Sequence, residues 1–283
     1  MSFSRLSIEI QEYLKWSPMS LVIREVCRIN SFEKFIQSLN LKSDAKILDV
    51  GCGDGKWWQT LNANTTYEVH GIDINPSEIF KAKNHIRAQV LNITDLAAVK
   101  TLPQDFDLIV GNCSLEHVQD INSALANIRS VCANGANFIL FIPSPHWALK
   151  GKSIAFLHWI SPRLSIAYSG AINGFFQHWH LYDYRIWNHL LQQNGFEIIQ
   201  VTGLGSKRLE FLYRLFLPSA FLSFLFKTTT GKYFNHYAHY FIPKSINRAI
   251  ANGLVPLINN SIRSPNDVEE IFEYAILTRI RNV

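Results

Sequence analysis

Short apolar runs recur near residues 46–50, 68–73, 88–91, 106–112 and 136–142, and polar stretches with helical spacing lie between several of them. Runs of this length, rich in Val, Ile, Leu and Phe, predict buried strands. Pro76 to Lys83 and Ile121 to Cys132 predict helices, the first entered through Asn75-Pro76, a capping residue followed by proline at the first helical position. Residues 185–194 predict a further helix, closed by Asn194-Gly195. Phe196 to Val201 follows as a sixth strand, and Ile271 to Arg279 alternates at period two as a closing strand. Strands alternating with helices predict an α/β fold, doubly wound around a parallel sheet. Residues 1–45 read as N-terminal helices and 46–143 as the core. The segments 144–184 and 204–266 interrupt the pattern as insertions after strands five and six. Ligands of such sheets bind outside the carboxyl ends of the strands, so both insertions are expected to roof a site there.

The most informative stretch is Ile47-Leu48-Asp49-Val50-Gly51-Cys52-Gly53-Asp54-Gly55, a strand running into a glycine loop. Glycine lacks Cβ, so the loop can turn tightly and bring its amides against a ligand. About 20 residues further on, Val69 to Asp73 ends a second strand in a carboxylate, the spacing at which an acid accepts ribose hydroxyls. A dinucleotide fingerprint starting at Gly51 needs its third glycine at position 56, which is Lys56. Asp49 and Asp54 flank the loop, where they would repel a pyrophosphate and attract a cation. The loop therefore suits a positively charged adenosine derivative better than a dinucleotide, and a nicotinamide oxidoreductase is disfavoured.

Residues 46–143 resemble the class I S-adenosylmethionine-dependent methyltransferases of the small-molecule group. The resemblance rests on Ile47 to Gly55, on Gly71-Ile72-Asp73-Ile74, and on Phe106 to Val118 with its Leu115-Glu116-His117 ending. It implies a Rossmann-like, mostly parallel seven-stranded sheet whose last strand is antiparallel, with S-adenosyl-L-methionine as cofactor. It also implies roles: Gly51, Gly53 and Gly55 for backbone approach, Asp49 for the methionyl ammonium, Asp73 for the ribose, Ile74 for an adenine face, and Asn92 with Ile93 for adenine. Cys52 and Asn112 complete the cofactor-contacting set. Asn92 departs from the Asp frequent in the family, but its side-chain oxygen can accept from the adenine amino group. Two histidines are candidate bases for a hydroxyl acceptor. His117 follows the fourth strand and reads equally as a positioning residue; His180 precedes the helix at 185 and reads alternatively as packed beside Trp179. Trp147, Trp159 and Trp179 read as lid core. No metal is expected: no ligand cluster has metal spacing, and His178-Trp179-His180 alone is a weak zinc signal.

Composition changes this picture in two places. The 283 residues accommodate one domain with insertions, and the four cysteines form no Cys-x-x-Cys pair. Reduced thiols and a cytoplasmic location are expected, and the N-terminal residues lack a secretory pattern. The net charge of +5 is unevenly spread. Between Leu204 and Asn266 lie eight cations and a single acid, Glu210, around an apolar run from Phe211 to Phe226 interrupted by Arg214 and Pro218. That interruption disfavours a membrane span, whereas an interfacial helix needs only an apolar face and basic flanks. Peripheral membrane contact through 204–266 is the expectation, with a helical lid core as the alternative; the run is too apolar for a nucleic-acid groove. The sequence thus predicts a methyltransferase, by preference an O-methyltransferase acting on a small or lipid-linked acceptor at the cytoplasmic membrane face. A non-catalytic cofactor-binding module is the alternative, and no oligomeric state is specified.

Overall fold

The computed structural model describes residues 2–61, 67–146, 152–267 and 271–281. In chain order the elements are α1 (Phe3–Trp16), α2 (Met19–Leu39), β1 (Lys46–Val50), α3 (Lys56–Leu61), β2 (Glu68–Asp73), α4 (Pro76–Ala82) and β3 (Arg87–Val90). Then come α5 (Leu96–Val99), β4 (Phe106–Asn112), α6 (Ile121–Ser130), β5 (Cys132–Pro143), α7 (Lys152–Ile160), α8 (Pro162–Phe176) and α9 (Tyr184–Gln193). The chain continues through β6 (Phe196–Leu204), α10 (Lys207–Thr230), α11 (Asn235–Ala238), α12 (Lys244–Asn259), β7 (Ile262–Arg263) and β8 (Glu273–Ile280). It divides into two compact units, Asn40–Thr202 with Ile271–Val283, and Met1–Leu39 with Gly203–Glu270.

The strand order is β3-β2-β1-β4-β5-β8-β6-β7, and the first unit holds all of these strands except β7 and the last two residues of β6. β1 to β5 pair in parallel and β8 runs antiparallel to β5, as the sequence predicts. Eight strands form where seven were expected, because Ile262 and Arg263 add a two-residue pairing to the end of β6. The central strands bury most of their residues on both faces, as apolar runs of this kind require. Leu48, Phe106, Ile109, Phe138, Leu140, Trp187, Phe196 and Tyr274 are buried in one continuous core. Several helices start on a side-chain cap that takes up free amides: Asn75 accepts from Ser77 N, Asp95 from Ala97 N and Ala98 N, Asp120 from Ser123 N, and Asp183 from Arg185 N. Their effect is to start α4, α5 and α6 directly beyond the carboxyl ends of β2, β3 and β4, keeping the connections at that edge short.

Of the three tryptophans assigned to a lid core, Trp147 lies outside the described residues. Trp159 and Trp179 are 81% and 59% exposed, so they are not core. The indoles that are buried are Trp57 and Trp58 on α3 and Trp187 on α9.

The second unit joins the N-terminal helices to the basic insertion. Ser7 Oγ on α1 donates to Asn252 Oδ1 on α12 at 2.7 Å, and Arg5 reaches Glu33 at 2.7 Å and Glu9 at 3.3 Å. α10 runs for 24 residues, yet it buries only Leu209, Tyr213, Ala220 and Ser223. Among the described residues it is the one helix long and apolar enough to cross a membrane. Pro218 interrupts its hydrogen bonding, and Arg214 is paired with Glu210 at 2.9 Å one turn back.

Glu9 is nearly inaccessible in this unit. Burial, followed by the neighbouring Glu33 carboxylate, raises its pKa from 4.5 to about 7, with Arg5 pulling the other way. A raised acid binds its proton more tightly folded than unfolded, so stability is full below pH 4.5 and falls as the pH rises towards 7. The urea midpoint of the wild-type chain should therefore drop between pH 5 and pH 8, and Glu9→Gln should flatten that drop; equal pH slopes for the two proteins would refute the linkage.

Candidate functional site

The carboxyl edge of the sheet gathers the predicted residues onto four strand ends. Gly51, Gly53 and Gly55 all have positive φ, at 77°, 54° and 72°. A Cβ on Gly51 would stand 2.3 Å from Ser114 Cβ, so the loop after β1 can lie this close to the loop after β4 only with glycine there. A Cβ on Gly53 would meet nothing within 4 Å, leaving its surroundings open to a ligand. Ser114 Oγ also donates to Val50 O, which locks the two loops together.

Asp73, at the end of β2, accepts from Gly53 N at 3.0 Å through Oδ2 and from Asn75 N at 2.8 Å through Oδ1. A carboxylate offers about four lone-pair positions, so two remain for hydroxyl donors. Ile74 beside it is 72% exposed, an apolar surface at a strand end where a flat ring can lie. Asp49 is buried, and Trp58 Nε1 donates to its Oδ2 at 2.6 Å, so this carboxylate is fixed by an indole that sequence spacing had not marked. Cys52 is buried, and burial followed by the Asp49 and Asp73 carboxylates pushes its thiol well above the ordinary range. It packs rather than reacts.

At the end of β3, Ile93 is buried and its carbonyl accepts from Asn127 Nδ2 at 2.8 Å. Asn92 Oδ1 accepts from Thr94 N at 3.1 Å and Thr94 Oγ1 at 2.9 Å. Those bonds take both lone pairs of the oxygen, so the side chain has its Nδ2 donors to offer a ring rather than the acceptor expected from the sequence. At the end of β4, Asn112 Oδ1 is buried with no hydrogen-bond partner, so it can accept a hydrogen bond from a ligand at this edge. Cys113 follows with φ 52°, a left-handed conformation uncommon outside glycine, where the chain turns sharply off the sheet. Glycines with freed backbone, a half-used carboxylate, an exposed apolar face and an orphaned amide oxygen together fit an adenosylated, positively charged cofactor.

The two candidate histidines differ in how they are held. The Leu115–His117 segment forms a 3-10 turn after β4. Glu116 O accepts from Trp179 N at 2.8 Å and His180 N at 3.1 Å, which hangs the loop after α8 on this turn. His180 is buried; its Nε2 stands 2.8 Å from Val118 O and its Nδ1 3.1 Å from Tyr182 OH. A carbonyl only accepts, so Nε2 carries the hydrogen and Nδ1 takes the tyrosine hydroxyl. With both ring nitrogens engaged inside the protein, the arrangement suits positioning.

His117 is exposed, its Nδ1 lies 3.2 Å from Gln177 O, and its Nε2 lies 3.8 Å from the buried Glu116 carboxylate. Its ring stacks on that of His178 at 5.3 Å. The polar ligand atoms of Glu116, His117 and His178 all lie within 4.8 Å of one another. Sequence reasoning had Glu116 within the Leu-Glu-His motif and His178 within His-x-His, but they stand some sixty residues apart and nothing in their spacing joins them.

Comparison with known proteins follows the same line. A family model described as a methyltransferase domain matches residues 24–201. A ubiquinone biosynthesis O-methyltransferase of Rhodopseudomonas palustris is 26% identical over 155 residues, covering 51% of this chain and 61% of that protein. The chain thus spans less than two thirds of the length of the curated relatives it matches first. Among solved structures, a SAM-dependent methyltransferase of Archaeoglobus fulgidus superposes with a TM-score of 0.51 at 16% identity, over 88% of this chain and 91% of that one. A geranyl diphosphate C-methyltransferase of Streptomyces coelicolor, solved with S-adenosyl-L-homocysteine, gives 0.52 at 12% identity over 88% and 74%. At these identities the superpositions show a shared fold.

Replacing Asp73 with alanine should weaken S-adenosylhomocysteine binding, read by calorimetry, by about 1–3 kcal/mol, the range for hydrogen bonds to a charged group. Unchanged affinity would remove Asp73 from the ribose contacts.

Proposed function

The chain belongs to the methyltransferase-domain family, and we propose that it transfers the methyl group of S-adenosyl-L-methionine to an oxygen of a small or lipid-linked acceptor at the cytoplasmic membrane face. The observation that carries the donor half is the Asp73 carboxylate held against Gly53, with lone pairs to spare, where the loop after β1 meets the end of β2. The sulfonium donor brings an electrophilic methyl group. The chain's own part is to hold it, to align the acceptor, to exclude water and to let the acceptor hydroxyl lose its proton. Asp49 would face the methionyl ammonium, Asp73 the ribose, and Ile74, Asn92 and Ile93 the adenine. Asn112 would face the donor from the end of β4, where its orphaned oxygen can accept a hydrogen bond. The acceptor would be presented at the turn carrying His117, with His180 fixing the loop beside it.

What supports the membrane half is the surface of α10. Phe211, Leu215, Leu222 and Leu225 recur at helical spacing and are 65%, 57%, 66% and 47% exposed. A solvated helix seldom carries so continuous an apolar stripe. Lys207 and Arg208 are exposed at its start, and Lys232, Lys244 and Arg248 are exposed beyond its end. Cations flanking an exposed apolar face suit anionic headgroups over an acyl boundary. The exposure of these side chains also speaks against the alternative of a lid core, which would have buried them. Free cysteines at all four positions accord with a reducing compartment.

Two measurements test this reading. Incubation with methyl-labelled donor and lipid extracts should transfer label to an extractable hydroxyl compound; the absence of any labelled product, with donor bound, would favour the non-catalytic alternative. The chain should float with anionic vesicles, less so at high salt, and the double variant Leu215→Asp/Leu222→Asp should stay in the soluble fraction. Equal flotation of variant and wild type would dismiss α10 as the contact.

A further inference from the structure

We propose that Glu116, His117 and His178 form a divalent-metal site, suited to zinc, whose open coordination positions take the oxygen of the methyl acceptor. The proposal deepens the methyltransferase reading and rests on it for the catalytic role, though not for metal binding itself. The three residues arrive from two separate places. Glu116 and His117 sit in the turn after β4, and His178 sits in the loop after α8 that the Glu116 carbonyl holds by two backbone hydrogen bonds. A carboxylate and two imidazoles are a donor set found in catalytic zinc centres, which keep positions open for water or substrate.

The tautomers point the same way. His117 Nδ1 faces the carbonyl of Gln177, so that nitrogen holds the hydrogen and the lone pair of the neutral ring falls on Nε2, on the side of the Glu116 carboxylate. His178 Nδ1 stands a long 3.5 Å from Asn173 Oδ1, the same arrangement with an amide oxygen. Metal-binding histidines are held in this way, with the second nitrogen on an oxygen acceptor that fixes the ring. The two rings stack at 5.3 Å and 22°, which holds them side by side. Phe176 also stacks on His178, at 5.7 Å, and limits its movement.

The distances fit after a small closure. Ligand atoms around a tetrahedral zinc with bonds of about 2.1 Å stand about 3.4 Å apart. Here Glu116 Oε1 and His117 Nε2 are 3.8 Å apart, and no pair in the set exceeds 4.8 Å. Glu116 is the buried member, His178 is half-buried and His117 is exposed, so an ion would be held from the protein side and open on the other. A hydroxyl ligated there would have its pKa lowered and release its proton to solvent. That assigns to the cluster the deprotonation for which His180 is poorly placed, and it narrows the acceptor to compounds with a hydroxyl able to ligate the ion.

The test uses the full chain, free of any purification tag, stripped with chelator and titrated with Zn²⁺ alone by calorimetry. A parallel Co²⁺ titration is followed by visible absorption. One equivalent should bind, and His178→Ala and Glu116→Gln should each weaken binding by at least about tenfold. His178→Ala changes a half-buried loop residue and serves where Glu116→Gln does not fold. Absence of zinc binding, or binding unchanged by His178→Ala, overturns the proposal. S-adenosylhomocysteine is titrated into the same samples: its binding without zinc binding removes the metal site and leaves the donor reading standing, whereas zinc binding without it does the reverse.

Discussion

The hydrogen bond from the Gly53 amide to the Asp73 carboxylate, 3.0 Å long, is the constraint on which the site depends. It ties the loop after β1 to the end of β2, and the same carboxylate takes the Asn75 amide that leads into α4. Three chain segments are thereby fixed around one acid by the fold itself. Preorganisation of this kind means that the entropic cost of ordering the loop falls on folding rather than on binding. Gly51 belongs to the same arrangement, because its missing Cβ lets Ser114 close on the loop and brings the end of β4 into register with it.

From that fixed corner the rest of the edge follows by topology. Because β1 lies between β2 and β4, the ends of β2, β1 and β4 are neighbours, and the cofactor-contacting residues need no long loops to meet. The proposed acceptor side is built differently. It depends on the insertion after β5 returning to the Glu116 carbonyl, so that a turn and a distant loop share two backbone hydrogen bonds. In that reading the donor side is carried by strands and the acceptor side by a loop.

The second unit works under other constraints. Its interior holds Glu9 and Glu33 beside Arg5, a costly arrangement that raises both acids, while the surface of α10 keeps large apolar side chains in water. Burying charge and exposing hydrocarbon both oppose folding in water. The membrane contact proposed above would cover that stripe, with the surrounding cations facing anionic headgroups.

Much of this was legible in the chain. Strands β1, β2 and β4 fall where the apolar runs place them, and the closing strand lies antiparallel as the resemblance implied, because burial on two faces leaves a continuous hydrophobic record. Glycine spacing and the acid about 20 residues on marked the donor corner for a similar reason: local backbone demands are written locally. Three features were not legible. Trp58 as the donor to Asp49, the engagement of both His180 nitrogens, and the meeting of Glu116 with His178 arise between side chains whose separation in sequence carries no signal. The exposure of Trp159 and Trp179 belongs with them, since an aromatic residue looks the same in sequence whether it faces core or water. Sequence determined the sheet and the donor loop through periodicity and backbone necessity; only the folded chain decided which distant side chains touch, because that depends on how loops close back on one another.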